Sequence, residues 1–203
     1  MYTISKLIFG FDIDGVLTGD DDGVTNLWLQ KAAEYFGQEM IRPSFYIEEA
    51  FDRTVEEVRE FFAAKIDSIF ASVPIRPHCA ETLTKLWDQG CTIHLITARD
   101  EEHRQVTEAW LKKHEIPYHT LSMSPHKQSY SKGDRCVELG VDFFVDDKFE
   151  NAHEVAERGI YTLLFHASHN RDRETTLPRV RSWLDINEHI DYLIQDTLSA
   201  SSR

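Results

Sequence analysis

The chain has 203 residues, enough for one sizeable core plus an inserted subdomain, and its 41% hydrophobic and 28% charged content is ordinary for a globular protein. A net charge of −13 excludes a general nucleic-acid or anionic-membrane binder, since both need a basic face, but it leaves room for a small anionic substrate held by local cations. Cys79, Cys91 and Cys136 are far apart and form no Cys-x-x-Cys, so they read as reduced buried thiols rather than a disulfide framework or a structural zinc site. No segment has the length or purity of a transmembrane helix, and Asp12 and Asp14 interrupt the only apolar stretch near the N-terminus. The expected compartment is the cytoplasm.

In chain order, Leu7 to Phe11 reads as a buried strand that runs into Asp12-Ile13-Asp14-Gly15. Residues i and i+2 of a strand share a face, so Asp12 and Asp14 are expected at one site, where two close acids call for a cation such as Mg²⁺. Gly15 lets the backbone turn and approach a ligand closely. Thr18 to Gly23 reads as a hinge or polar connector, with a second metal site as the alternative, and it lacks the alternation of a calcium-binding loop. A helix is expected over Asn26 to Phe36, stopped by Gly37, and a second after the Thr54-Glu57 capping box, with Val55, Val58, Phe62, Ile66, Ile69 and Phe70 at helical spacing. Residues 19–73 are therefore expected to form a helical insertion, its aromatics (Trp28, Phe45, Tyr46, Phe51, Phe61) supplying its core, with one or two of them facing a substrate.

From Pro74 the pattern alternates. A helix over Pro77 to Gln89 turns Leu83, Leu86 and Trp87 to one face, and Thr92 to Thr97 is a strand. Asp100 caps a helix with Val106, Trp110 and Leu111 facing inward; Tyr118 to Met123 is a strand. Ser131 to Leu139 is a helix, Val141 to Val145 a strand, Asn151 to Arg158 a helix and Ile160 to Phe165 a strand. The tail carries one more amphipathic helix, with Trp183, Ile186, Ile190, Leu193 and Ile194 along its stripe. Alternation of this kind predicts an α/β fold: a Rossmann-like parallel sheet with helices on both faces, and ligands at the carboxyl ends of the strands.

The chemistry-bearing residues collect at those strand ends. Asp12 can attack phosphorus as a carboxylate nucleophile, and Asp14 is placed to protonate the leaving oxygen and then deprotonate water. The Thr97 hydroxyl and the Ala98 N–H can donate to a phosphoryl oxygen, and Lys132 opens a helix just after its Ser131 cap, where an anion is favoured. Asp146 and Asp147 end a buried strand, where metal ligation accounts for unpaired carboxylates. Gly15, Ala98 and Arg99 complete the candidate substrate contacts. Ten histidines are present, but none forms a helical pair with a third ligand, and no metal or catalytic role is assigned to His114, His119, His166 or His169.

This ordered set resembles the haloacid dehalogenase (HAD) superfamily of phosphohydrolases, whose motifs match Asp12 to Gly15, Thr97, Lys132 (with Lys127 as a rival) and Asp146-Asp147. The resemblance implies Asp12 as nucleophile, Asp14 as acid/base, and Mg²⁺ held by Asp147 ahead of Asp146, with the Asp12 carboxylate and the Asp14 carbonyl. It divides the chain into a core of residues 1–18 and 74–203 and a helical cap of residues 19–73. Where some members carry a further acid, this chain has Asn151. Within the superfamily it looks most like the 5′(3′)-deoxyribonucleotidase branch, through the small cap, Thr97-Ala98-Arg99, Val145-Asp146-Asp147-Lys148 and Leu164 to Asn170. That branch implies a nucleoside monophosphate as the substrate. A small sugar phosphate and a catalytically silent member of the fold are the alternatives. A signalling receiver domain uses the same residue types but carries its acidic pair first, and here Asp-x-Asp-Gly comes first.

Overall fold

The structure is a computed structural model that describes residues 7–21, 26–42, 44, 46–125 and 130–200, with side chains described to residue 196. Phe45, Lys127 and Gly23, all named above, lie outside the described residues.

Six strands form one sheet: β1 (Ile8–Phe11), β2 (Thr92–Asp100), β3 (Thr120–Ser124), β4 (Phe143–Asp146), β5 (Tyr161–Phe165) and the two-residue β6 (Arg179–Val180). Their order is β3-β2-β1-β4-β5-β6, and every pairing is parallel. Because the order reverses direction between β1 and β4, their carboxyl ends border the crevice in which such sheets bind ligands. Both faces of the sheet are covered, which is why β1 is apolar along its whole length and β4 is apolar up to its terminal Asp146. On one face Phe9, Phe11, Phe143 and Val145 pack with Leu83 and Leu86 of α4 (Cys79–Asp88), with Trp110 and Leu111 of α5 (Arg104–Lys113), and with Trp183 and Ile186 of α8 (Trp183–Ala200). On the other face Ile96 and Phe144 pack with Cys136 of α6 (Lys132–Leu139) and Val155 of α7 (Phe149–Ala156).

Between β1 and α4 lie three helices, α1 (Leu27–Phe36), α2 (Ile47–Phe51) and α3 (Val55–Ser72), with an apolar cluster of their own that includes Ala32, Ile47, Phe51, Val58, Phe61 and Ile69. Local signals set their ends. The Asn26 side chain accepts from the Leu29 N–H, Gly37 takes the left-handed conformation after α1, and Thr54 and Glu57 cap α3 reciprocally.

Several expectations need correction. Trp87 is 43% exposed and lies against His119, because the buried stripe of α4 runs through Cys79, Thr82, Leu83 and Leu86. Helix α8 covers the Thr82 side, where Asn187 donates to the Thr82 hydroxyl at 2.9 Å. Thr107, not Val106, is the buried companion of Trp110 on α5. Val55, at the first position of α3, is exposed, and Phe61 fills the buried stripe in its place. Tyr46 is one of the aromatics that lie outside the core of the insertion, 57% exposed. Strand β2 continues past Thr97 to Asp100, with its register to β3 shifting between Ile96 and Asp100. The short α2 and β6 were not anticipated. Among the described residues, no helix is long and apolar enough to cross a membrane.

Candidate active site

The carboxyl ends of β1, β2 and β4 bring the acidic and basic residues together. Asp12 follows β1 directly, its N–H bonded to the Val145 carbonyl at 3.0 Å, which ties the end of β1 to β4. The buried Lys132, first residue of α6, reaches between two carboxylates, 2.6 Å from Asp12 Oδ2 and 2.7 Å from Asp146 Oδ2. Ser131 caps that helix by accepting from the Asp134 N–H, so the capping signal in the sequence also places the lysine. Asp146 is fully buried and accepts the Lys148 N–H at 2.8 Å, and the Asn151 amide lies 3.4 Å from its Oδ2. Asp147 is held through its carbonyl, which accepts from Asn170 Nδ2 at 2.6 Å and faces His169 Nε2 at 3.1 Å.

Burial pushes the Asp12 carboxyl up to about 7; Lys132 pulls it back, while Asp146 and Asp14 add to the rise. Burial also raises Asp147 well above the ordinary carboxylate value, reinforced by Asp146, Asp12 and Asp20. Lys132 is the reverse case: burial alone would favour its neutral form, but Asp12 and Asp146 outweigh that and hold it above the usual lysine value. One oxygen from each of Asp12, Asp146 and Asp147 lies within 4.8 Å of the others, and Lys132 is the cation between two of them. Three clustered carboxylates around one ammonium leave an excess of negative charge on hard oxygen donors, and a divalent cation fits that deficit.

Asp14 is partly open to the cavity, and Arg99 grips it in a fork, Nε to Oδ2 at 2.9 Å and Nη2 to Oδ1 at 2.7 Å. Gly15 donates its N–H to the Thr18 hydroxyl at 3.0 Å and to Asp20 Oδ1 at 2.9 Å. Thr97 is buried and accepts the Arg99 N–H at 3.2 Å. A cavity of about 670 Å³ opens over these groups, floored by Asp12, Asp14, Thr97, Ala98 and Asp147 and roofed by Trp28, Tyr46, Val58 and Phe62 of the helical insertion.

The structure therefore gathers Asp12, Asp14, Thr97, Ala98, Lys132, Asp146 and Asp147 at one place. Arg99 and Gly15 do not line the cavity: the Arg99 guanidinium stands behind Asp14, and the Gly15 N–H is engaged by Thr18 and Asp20. Three residues not among the assigned site residues belong to the site. The first is Asp20, which also accepts from Trp28 Nε1 at 3.0 Å and so joins the Gly15 turn to α1. The second is Asp21, a buried acid bonded to the Ser168 N–H at 3.1 Å. The third is His169, whose Nε2 lies 3.6 Å from Asp147 Oδ2. The only sequence signal for the acids was an acidic run inside a polar connector.

Comparison with known proteins agrees with this geometry. A family profile described as 5′ nucleotidase, deoxy (pyrimidine), cytosolic type C protein matches residues 6–196. A Clostridium acetobutylicum nucleotidase is 26% identical over 198 residues, covering 95% of this chain and 97% of that protein. A Chlorobaculum tepidum protein provisionally named 5′(3′)-deoxyribonucleotidase is 27% identical, with 93% of each chain covered. Among solved structures, a haloacid dehalogenase-like hydrolase from Streptococcus pneumoniae superposes with a TM-score of 0.63 at 14% identity, covering 92% of this chain and 99% of that one. A HAD-superfamily hydrolase from Geobacter sulfurreducens gives 0.60 at 15% identity, covering 90% and 95%. At those identities the structural likeness speaks for the fold, and the family profile, which spans nearly the whole chain, speaks for the lineage. The chain shares the fold of haloacid dehalogenase-like hydrolases and belongs to the 5′ nucleotidase, deoxy (pyrimidine), cytosolic type C family.

Proposed function

We propose that this protein is a Mg²⁺-dependent phosphomonoesterase that hydrolyses nucleoside monophosphates through a phosphoryl-Asp12 intermediate. The observation that carries the reading is the position of Asp12: a buried carboxylate fixed by Lys132 at 2.6 Å, on the floor of a cavity with an aromatic roof. Asp12, Asp147 and Asp146 would hold the cation, which when bound neutralises charge between an anionic nucleophile and an anionic phosphate.

In the first half-reaction an Asp12 oxygen attacks phosphorus and the bond to the ester oxygen breaks, with Asp14 giving that oxygen a proton. In the second, Asp14 takes a proton from water as the water oxygen attacks the phosphoryl group, releasing phosphate and restoring Asp12. The Thr97 hydroxyl and the Ala98 N–H, at the shifted stretch of β2, are the donors for the phosphoryl oxygens. Lys132 keeps Asp12 and Asp146 close despite their like charge. Helices α1 to α3 act as a cap whose Trp28, Tyr46 and Phe62 offer flat apolar faces to a base. Buried free thiols at Cys79, Cys91 and Cys136 support a reducing, cytoplasmic setting.

The test is phosphate release from nucleoside and deoxynucleoside monophosphates and small sugar phosphates with Mg²⁺, using Asp12→Asn as the blank. Preference for nucleotides supports the whole reading. Turnover of sugar phosphates alone keeps the mechanism and removes the nucleotide, and phosphate release by Asp12→Asn removes the mechanism.

A further inference from the structure

The cap touches the catalytic acid through two residues that do not line the cavity. Both oxygens of Asp14 are taken by Arg99, whose third contact runs from Nη1 to the Thr107 hydroxyl at 3.1 Å. The Arg99 side chain is 1% exposed, so the guanidinium itself is shielded from water, while Asp14 keeps a side open to the cavity. One face of its guanidinium is covered by the Phe70 ring, with Cζ 3.7 Å from the ring centroid. Phe70 belongs to the last turn of α3, in the cap, and its ring meets the edge of Trp28 at 5.7 Å, itself tied to the Gly15 turn through Asp20. Arg99 and Thr107 belong to the core. The guanidinium is thus a hinge plate: its edge holds a carboxylate of the core and its face is held by a ring of the cap.

A fork of two N–H donors fixes the plane of a carboxylate as well as its position, and an ammonium on a flexible stem does neither. An aromatic face over a desolvated guanidinium strengthens the arrangement and keeps water out. General acid catalysis depends on that alignment, because the acid must lie in hydrogen-bond reach of the leaving oxygen as the bond breaks.

We propose that Arg99 and Phe70 are positioning residues that act through Asp14, so that docking of the cap onto the core orients the catalytic acid. The inference rests on the acid/base reading of Asp14 given above. Arg99 itself touches neither phosphate nor leaving group, which is why a motif read as a substrate contact contributes through another side chain.

The test compares two esters by kcat/KM, which reports only the steps up to departure of the leaving group. p-Nitrophenyl phosphate expels a phenolate that needs no proton, whereas the alkyl monophosphate turned over best in the phosphate-release panel does need one. Arg99→Lys is expected to lower kcat/KM for the alkyl ester about 100-fold and for the aryl ester less than about 3-fold. Phe70→Leu, which keeps apolar volume but loses the ring face, is expected to show the same selectivity at about 10-fold. Thermal unfolding of each variant checks that it is folded. A merely structural role would slow both esters alike, so equal losses, or no loss, in both variants overturn the proposal. Asp14→Asn run alongside separates the two levels of the argument. Selective loss in Asp14→Asn with equal losses in Arg99→Lys and Phe70→Leu overturns the positioning role alone. Equal losses in Asp14→Asn overturn the acid role on which it stands.

Discussion

Asp147 occupies the space that a side chain on Gly15 would need: a Cβ built there would lie 2.1 Å from Asp147 Oδ2. Gly15 also has φ +72°, a conformation that costs an L-residue about 1–2 kcal/mol. The glycine of the first motif is therefore what allows the end of β4 to approach the turn after β1. With overpacking added, Gly15→Ala is expected to destabilise the fold by about 3 kcal/mol. For a domain of this size that corresponds to a fall in Tm of about 6–12 °C. Mg²⁺ binding by calorimetry should weaken in parallel, because Asp147 must move. A variant with unchanged Tm and unchanged Mg²⁺ affinity would show that the two strand ends are not in contact.

Asp147 shares the electrostatic case for the cation with Asp12 and Asp146. Its carboxyl is driven toward the neutral form by burial and by Asp146, Asp12 and Asp20. Saturating Mg²⁺ at about 100 times its Kd should stabilise the native state by about 2.7 kcal/mol, a rise in Tm of about 5–10 °C. Asp147→Asn should abolish that rise, while its Tm in chelator equals or exceeds that of the wild type, since a carboxyl whose ionisation the folded site disfavours has been removed. Full phosphatase activity after exhaustive chelation, or an Asp147→Asn protein still stabilised by Mg²⁺, would remove the metal from the site.

The same logic separates stability from function at Asp12. Asp12→Asn keeps the shape of the side chain and leaves Lys132 bonded to Asp146. It removes a carboxylate that burial has pushed up to about 7. Turnover is expected to fall by about 10⁴-fold or more, as for other nucleophiles that act as part of a unit. The metal-free Tm should not fall. Unchanged phosphate release would assign the nucleophile elsewhere, and a large drop in Tm would mean that the carboxylate stabilises the fold.

What the sequence disclosed and what it hid differ in range. The β1 run into Asp12, the β4 run into Asp146 and the Ser131 cap before Lys132 are local patterns, and each is found where its period or cap predicts. Asp20 and Asp21 read as solvated residues of a connector because the groups that make them structural are distant. Asp20 reaches Trp28 and the Gly15 N–H, and Asp21 reaches Ser168, 147 positions along the chain. Arg99 is the sharpest case. Its place after Thr97 suggested a substrate contact, but its partners are Asp14, 85 positions away, and Phe70 of α3. Helix faces fail in the same way. The stripe of α4 admits either Thr82 or Trp87, and only the packing of α8 decides for Thr82.

Helix α8 gives a prediction in pH. Its first residue, Trp183, donates from Nε1 to the Val16 carbonyl at 2.9 Å, bracing the segment just after the Gly15 turn. The helix starts with a reciprocal cap: Asp185 accepts the N–H groups of Arg181 and Ser182 at 2.7 and 3.1 Å, and the Ser182 hydroxyl accepts the Asp185 N–H at 3.2 Å. Those backbone bonds, the Arg181 N–H foremost, hold the Asp185 carboxyl below its ordinary value of 3.8. A depressed carboxylate binds fewer protons when folded than when unfolded. Its contribution is therefore complete above the unfolded value and is lost as pH falls through the folded one. Asp185→Ala is expected to cost about 1 kcal/mol at pH 7. The gap between wild type and variant should narrow as pH falls from about 4 toward about 2. Paired urea melts at neutral and acid pH measure it. A gap that stays constant with pH would assign the loss to packing around Trp183 rather than to the ionised cap.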